Sequence, residues 1–360
     1  MKEFFSNKKL LLIFSFLFFI SAFFTYNFFS NQNSLPLAEK ALFLTTNSSE
    51  QINSEVEKII ADYGEFADLT IPFIKEIKLD NKQLVIEETL AKKGKYTEYR
   101  ASYYSEGNKI YGLLTIPNEA KMASTPAVIF VHGYIPPKIY KTMKRYVDYV
   151  DYLASNGLVV FKIDLRGHDQ SEGEARGAYF SNSYVVDVLN AVESIKTISE
   201  VDRQQISLWG HSMAGNVVTR AVAVNPEIKS VVIWAGAVYT YSDMADYGIN
   251  DSSFSRADLP PEHRPRRENL FAKVGNLDSG NDFWKLVSPV DWLKNYSGEI
   301  QLHHAIDDQT VSIEYSRNLV NVLKDSAINI KLFEYQSGGH DLEGSSFNQA
   351  MNHSVEVFTR

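Results

Sequence analysis

The sequence contains no cysteine. That absence removes a thiol nucleophile, disulfide bonds, thiolate metal sites and a lipid-modified cysteine anchor. It assigns no compartment by itself. A basic excess is missing as well: 36 Lys and Arg stand against 44 Asp and Glu, a formal net charge of −8. A broad nucleic-acid footprint needs the opposite sign, so no nucleic-acid partner is expected. There is no internal repeat and no His-Glu-x-x-His. His303 and His304 are adjacent, and adjacent strand residues point to opposite faces, so they do not chelate one metal together. Residues 210–215 have the Gly-x-x-x-x-Gly frame of a phosphate-binding loop, but Asn216 and Val217 follow where Lys and Ser or Thr are required. No cofactor and no metal are expected.

What is present is apolar material in three arrangements. Hydrophobic residues make up 44% of the 360, enough for one large core or two smaller ones. The first arrangement is N-terminal. Lys2, Lys8 and Lys9 precede an apolar run over residues 10–29, whose 20 positions are long enough to cross a bilayer. The leading lysines favour a cytoplasmic N-terminus with the remainder outside. Bulky Phe and Tyr occupy the places where a signal-peptidase site would need small residues. Residues 1–30 are therefore expected to be an uncleaved membrane anchor in the lipid bilayer, with a cleaved signal and secretion as the alternative. Residues 31–95 read as a helical leader and linker.

The second arrangement fills residues 96–360. Residues 97–105 and 109–116 read as strands joined by Glu106-Gly107-Asn108, a hairpin signal. Strands then alternate with helices. The strands cover 127–131, 158–163, 205–209, 229–234, 299–304 and 328–335; the helices cover 140–155, 184–198, 212–224, 313–323 and 347–358. Continuously apolar strands in such alternation predict an α/β fold, a mostly parallel sheet covered on both faces, with the hairpin at one antiparallel edge. The third arrangement interrupts it. Residues 237–297 show no clear strand, and a structureless loop of that length is unusual. They read as a helical lid insertion, or else as an extension of the core. Within them, Arg264-Pro265-Arg266-Arg267 suits either a solvated face or recognition of an acidic substrate or lipid headgroup.

The chemistry begins at Gly210-His211-Ser212-Met213-Ala214-Gly215. An apolar strand ends on glycine, a serine follows two residues later, and a helix begins. That is the layout of a nucleophile elbow. A serine hydroxyl needs a histidine to take its proton, and the histidine needs a carboxylate to hold its tautomer. Both should follow later strands, in the order Ser, Asp or Glu, His. His340 follows the last strand behind Gly338-Gly339. Asp307 and Asp308 follow the strand before it, and periodicity does not choose between them. A developing oxyanion needs two N–H donors. Met213, at a helix N-terminus, is one candidate. Tyr134, after His132-Gly133, is the other.

These motifs together resemble the α/β-hydrolase superfamily, in particular single-domain serine hydrolases related to the catalytic domain of prolyl oligopeptidase-type peptidases and to bacterial esterases. The resemblance runs from about Tyr99 to the C-terminus. His132-Gly133 matches the family's oxyanion loop. Residues 164–173 resemble its Asp-x-Arg-Gly-x-Gly-x-Ser-x-Gly loop, with Asp169 replacing a glycine. Its acid motif, His-His-Gly-x-x-Asp-x-x-Val-Pro, aligns without a gap on residues 303–312 and implies Asp308 as the triad acid; Ala305 and Ser312 depart from it and keep Asp307 as the alternative. Ala214 stands where the elbow usually has glycine. The resemblance implies a Ser212–His340–Asp308 triad acting on a small-molecule or short-peptide acyl substrate. Ester or thioester substrates are expected because no β-propeller pattern precedes the catalytic region; a peptidase acting on short peptides and a non-enzymatic binding module are the alternatives. Oligomeric state is not encoded in these patterns.

Overall fold

The computed structural model describes residues 53–278 and 280–360. The expected anchor over residues 1–30 lies outside them. Among the described residues no helix is long and apolar enough to cross a membrane. The chain divides into two compact units, Met1–Glu65 and Phe66–Arg360. The described part of the first is mainly one helix, α1 (Ser54–Tyr63), whose N-terminus is capped by the Asn53 side chain accepting from the Glu55 N–H.

The second unit opens with a short helix, α2 (Ile71–Lys75), and is built on one nine-stranded sheet. The strands are β1 (Val85–Lys92), β2 (Tyr96–Ser105), β3 (Asn108–Pro117), β4 (Thr125–Val131), β5 (Val159–Ile163), β6 (Val201–His211), β7 (Ser230–Trp234), β8 (Glu299–Ala305) and β9 (Asn329–Tyr335). Their spatial order is β1-β2-β3-β5-β4-β6-β7-β8-β9. The first three contacts in that order, β1–β2, β2–β3 and β3–β5, are antiparallel, and the remaining five are parallel. The β2–β3 hairpin turns at Glu106 (φ 49°) and Gly107 (φ 76°), both left-handed, the backbone that matches the twist of a two-residue hairpin. β5 and β7 are buried at every position, as strands covered on both faces must be.

The remaining helices are α3 (Val147–Ser155), α4 (Ser183–Ile195), α5 (Ala214–Val224), α6 (Tyr241–Tyr247), α7 (Arg264–Val274), α8 (Asp282–Val287), α9 (Glu314–Leu323) and α10 (Ser345–Phe358). α4 packs against α5, and α3 against α10. On the α3/α10 side, Phe130 stacks on Trp209 with centroids 4.0 Å apart, and Trp234 closes on Trp209 at 5.5 Å. Residues 237–297 carry α6, α7 and α8 and, among the described residues, no strand.

One element is shorter than its pattern. A helix is expected over 140–155, but α3 starts only at Val147. The residues before it are held by polar side chains: Tyr140 donates to Asp164 (2.6 Å), Thr142 donates to Asp169 (2.9 Å), and Tyr146 is left-handed at φ 59°. Asp169 itself sits at φ 46°, a left-handed backbone that glycine adopts without steric cost. Aspartate enters that region at lower cost than most residues, and its carboxylate accepts here from the Thr142 N–H at 3.2 Å.

Candidate active site

The sheet brings four segments to one edge. β4 delivers Gly133-Tyr134, β6 delivers Ser212, β8 delivers Asp308, and β9 delivers His340, each just beyond the carboxyl end of its strand. In a parallel sheet those ends open toward solvent, and ligands meet them there.

Ser212 is the hinge between β6 and α5. It is buried and left-handed at φ 54°. Its N–H donates to the Trp234 carbonyl (2.9 Å), and its own carbonyl accepts from the Gly215 N–H (2.8 Å), so neighbouring strand and helix hold the strained residue in place. The first turn of α5 presses close to the loop after β7: a Cβ on Gly215 would lie 2.8 Å from the Gly236 Cα. Met213, at the N-cap of α5, is buried.

His340 Nδ1 stands 2.8 Å from Asp308 Oδ2. Asp308 is buried, and burial alone would raise its pKa. Hydrogen bonds from His304 and His340, the field of His340 and the Val311 N–H outweigh that, and its pKa is lowered below the ordinary carboxylate range. Oδ1 accepts from the N–H groups of Thr310 (2.8 Å) and Val311 (3.0 Å), and Oδ2 lies 3.3 Å from His304 Nε2. Asp307 is placed differently. It is exposed, and its Oδ1 accepts from the Gly339 N–H at 2.9 Å. It ties the loop that carries His340 through backbone, not through the imidazole.

His304 supports the site in a way that its place in the sequence pattern does not announce. Its Nδ1 meets the Ser316 hydroxyl at 2.8 Å and its Nε2 the Val311 carbonyl at 3.0 Å, so it buttresses the turn that carries Asp308. The signal available was its spacing of four residues from Asp308 across that turn. His303 points to the other face, bonded to the Tyr335 hydroxyl (2.9 Å). Burial, reinforced by His353, lowers its pKa to about 3 and keeps it neutral.

A second buried network joins the segments. The Gly133 N–H donates to the Tyr146 hydroxyl (3.1 Å), which donates to His211 Nδ1 (2.7 Å); His211 Nε2 then donates to the His340 carbonyl (2.9 Å). Burial and the nearby His340 push the His211 pKa down to about 4, so the neutral tautomer this chain requires persists in all but acid solution. Only glycine fits at 133: a Cβ there would lie 2.8 Å from the Tyr146 hydroxyl and 3.0 Å from His211 Nδ1. Tyr146→Phe leaves the Gly133 N–H and His211 Nδ1 without partners. It should cost about 2 kcal/mol in urea unfolding and lower kcat roughly three- to tenfold more than KM moves. An unchanged kcat in a folded variant would remove the network from the catalytic account.

Because the Gly133 N–H is engaged in this way, the next N–H along, that of Tyr134, is the free one. Among the described residues neither the Tyr134 nor the Met213 N–H donates to a protein acceptor. Both residues line, with Ser212, a cavity of about 390 Å³. Its far wall comes from residues 244–270, and the Tyr134 hydroxyl reaches that wall at Asp258 (3.0 Å).

A mostly parallel sheet with this strand order, a strained serine between strand and helix, and a carboxylate–imidazole pair beyond the last two strands decide the fold. The chain has the α/β-hydrolase fold. The family model for serine aminopeptidase, S33 matches residues 123–256 of this hydrolase. The "Uncharacterized peptidase YtmA" of Bacillus subtilis (strain 168) is 24% identical over 245 residues, which is 67% of this chain and 85% of that one. Among solved structures, acetyl xylan esterase 1 from Thermoanaerobacterium sp. JW/SL YS485 superposes with a TM-score of 0.58 at 15% identity, covering 90% of this hydrolase and 99% of the esterase. Pyrococcus horikoshii acylaminoacyl peptidase does so with a TM-score of 0.53 at 19% identity, covering 73% of this hydrolase and 40% of the peptidase. The family and structural neighbours of this α/β-hydrolase are serine hydrolases, esterases and peptidases both.

Proposed function

We propose that this α/β-hydrolase cleaves carboxylic esters by acyl transfer through Ser212 to water. The observation that carries the reading is the 2.8 Å contact between His340 Nδ1 and Asp308 Oδ2, in a loop whose His340 carbonyl is held by the residue preceding Ser212. With Nδ1–H donating to Asp308, Nε2 of His340 is the basic nitrogen. It takes the Ser212 proton as Oγ attacks the acyl carbonyl. The Met213 and Tyr134 N–H groups receive the oxyanion, each such donor contributing on the order of 3 kcal/mol, and the N-terminus of α5 adds its dipole. His340 returns the proton to the departing alkoxide. It then deprotonates water, which attacks the acyl-Ser212 ester, and returns that proton to Ser212 Oγ as the acyl–Oγ bond breaks and the acid leaves.

Two features favour esters over peptides. The likeness to acetyl xylan esterase spans nearly the whole of both chains, whereas the likeness to acylaminoacyl peptidase covers 40% of that enzyme. The cavity is also walled in part by this chain's own residues 244–270. Cleavage of short peptides is the second reading, favoured by the serine aminopeptidase model and by the match to YtmA.

A fluorophosphonate probe should label the protein at Ser212. A panel of 4-nitrophenyl esters and aminoacyl-4-nitroanilides then separates the two readings: ester kcat/KM values should exceed those for the anilides by about 100-fold or more. The reverse order would make it a peptidase, and absence of labelling would remove the serine mechanism.

A further inference from the structure

The arginine run over residues 264–267 has no part in the reaction above, yet the fold turns it toward the reaction. Arg264, Arg266 and Arg267 all line the cavity that contains Ser212, joined by Arg176 and Arg256. Three of these five are neutralised: Arg176 by Glu174 (3.0 Å), Arg256 by Glu268 (3.0 Å) and Arg266 by Asp68 (2.6 Å). The other two, Arg264 and Arg267, are three residues apart on α7 and so share a face. Arg264 donates to the carbonyls of Leu259 and Ala257, both at 3.1 Å. Arg267 has no carboxylate within ion-pair distance among the described residues. Its guanidinium lies over the rings of Phe180 (4.6 Å) and Phe271 (5.6 Å).

Arg267 is exposed at the rim, and partial desolvation together with the field of Arg256 lowers its pKa. It is a cation oriented by two aromatic faces and short of counter-charge. The two carboxylates lining the cavity accept from neutral donors and pair with no arginine among the described residues. Asp258 accepts from the Tyr134 hydroxyl (3.0 Å), and Asp251 accepts from the N–H (2.8 Å) and hydroxyl (2.6 Å) of Ser253. Much of the remaining wall is apolar, from Phe180, Met244, Ile249, Phe254, Leu259 and Leu270.

We infer that the substrate is an acyl compound with an apolar body and a carboxylate, the carboxylate received by Arg267 with Arg264 on the same helix face. This rests on the serine-hydrolase reading and adds the class of substrate to it. A guanidinium held by aromatic faces presents a planar donor fork, which carboxylate matches in geometry and sign. Exposure to water limits the gain from one ion pair, so the expected preference is modest.

Two substrate pairs test it. Mono-4-nitrophenyl glutarate is compared with its methyl ester, which places the anion on the acyl side. 4-Acetoxybenzoate is compared with its methyl ester, which places it on the alcohol side. In at least one pair the anionic member should have the higher kcat/KM, by about five- to tenfold in low salt. Raising salt from about 50 to about 500 mM should shrink that ratio. Arg267→Gln should bring it near one, Arg267→Lys should keep part of it, and Arg267→Glu should invert it. Ratios within about twofold of one for both pairs in the unaltered enzyme, or a ratio that Arg267→Glu leaves in place, would overturn the inference. If fluorophosphonate labelling and turnover of the neutral esters persist in that case, the hydrolase reading stands without this one. Absence of both removes both.

Discussion

Ser212→Ala should abolish fluorophosphonate labelling and lower kcat for 4-nitrophenyl ester hydrolysis by about 10⁴- to 10⁶-fold, with KM little changed. Alanine has no atom to form the acyl-enzyme, so both halves of the reaction lose their covalent route. The remaining rate is what bound ester and positioned water achieve beside two oxyanion donors. The fold should survive. Ser212 holds its left-handed backbone through main-chain bonds to Trp234 and Gly215, and alanine keeps both. Its strain at φ 54° is that of any L-residue there, so the melting temperature should shift little. Adding His340→Ala to Ser212→Ala should cost little more, because residues that act as a unit are not additive. A folded Ser212→Ala enzyme that keeps more than about 1% of its kcat would exclude Ser212 as the nucleophile.

Asp308→Asn should lower kcat by about 10³- to 10⁴-fold, whereas Asp307→Asn should change it less than about threefold. In the first variant the amide oxygen can still accept from the Thr310 and Val311 N–H groups. The amide nitrogen then faces His340 Nδ1, 2.8 Å away, and two donors oppose each other. The imidazole must rotate or move its proton to Nδ1's partner nitrogen, and in either case Nε2 no longer accepts from Ser212. In the second variant the amide oxygen keeps the Gly339 N–H, the single hydrogen bond Asp307 makes toward this loop. The pH profile separates the groups further. The Asp308 pKa is lowered, so its carboxylate, and the stability that charge contributes, is present throughout the neutral range and lost only in strong acid. If Asp307→Asn takes the large loss instead, the acid has been assigned to the wrong carboxylate.

Much of the fold is legible without coordinates because it depends on neighbours in sequence. Continuous apolar runs at 127–131 and 231–234 read as strands covered on both faces, and both are found so. Glu106-Gly107 encodes its turn through backbone conformations that few residue pairs adopt. Gly210-His211-Ser212 announces the elbow for the same reason: the bend is local, and so is the chemistry that permits it.

What resisted reading depends on residues far apart. The start of α3 is set by bonds from Tyr140 and Thr142 to Asp164 and Asp169 and by the Tyr146 hydroxyl, none of which a helical periodicity contains. Asp307 and Asp308 are one peptide apart and chemically identical, and they diverge only because a strand end presents one carboxylate to an imidazole 32 residues later and the other to that loop's backbone. Likewise the charges at 264–267 read first as a solvated face, with a receptor as the alternative, until packing places them on the wall of the cavity that Ser212 also lines. The sequence by itself determined the α/β fold class, the elbow and the order of the chemical groups, since those follow from local sterics and hydrophobic pattern. The tertiary structure decided which carboxylate faces His340, which N–H groups remain free and which cavity arginines meet no carboxylate among the described residues. Those depend on distances of a few ångströms between strands, and no one-dimensional pattern carries such distances.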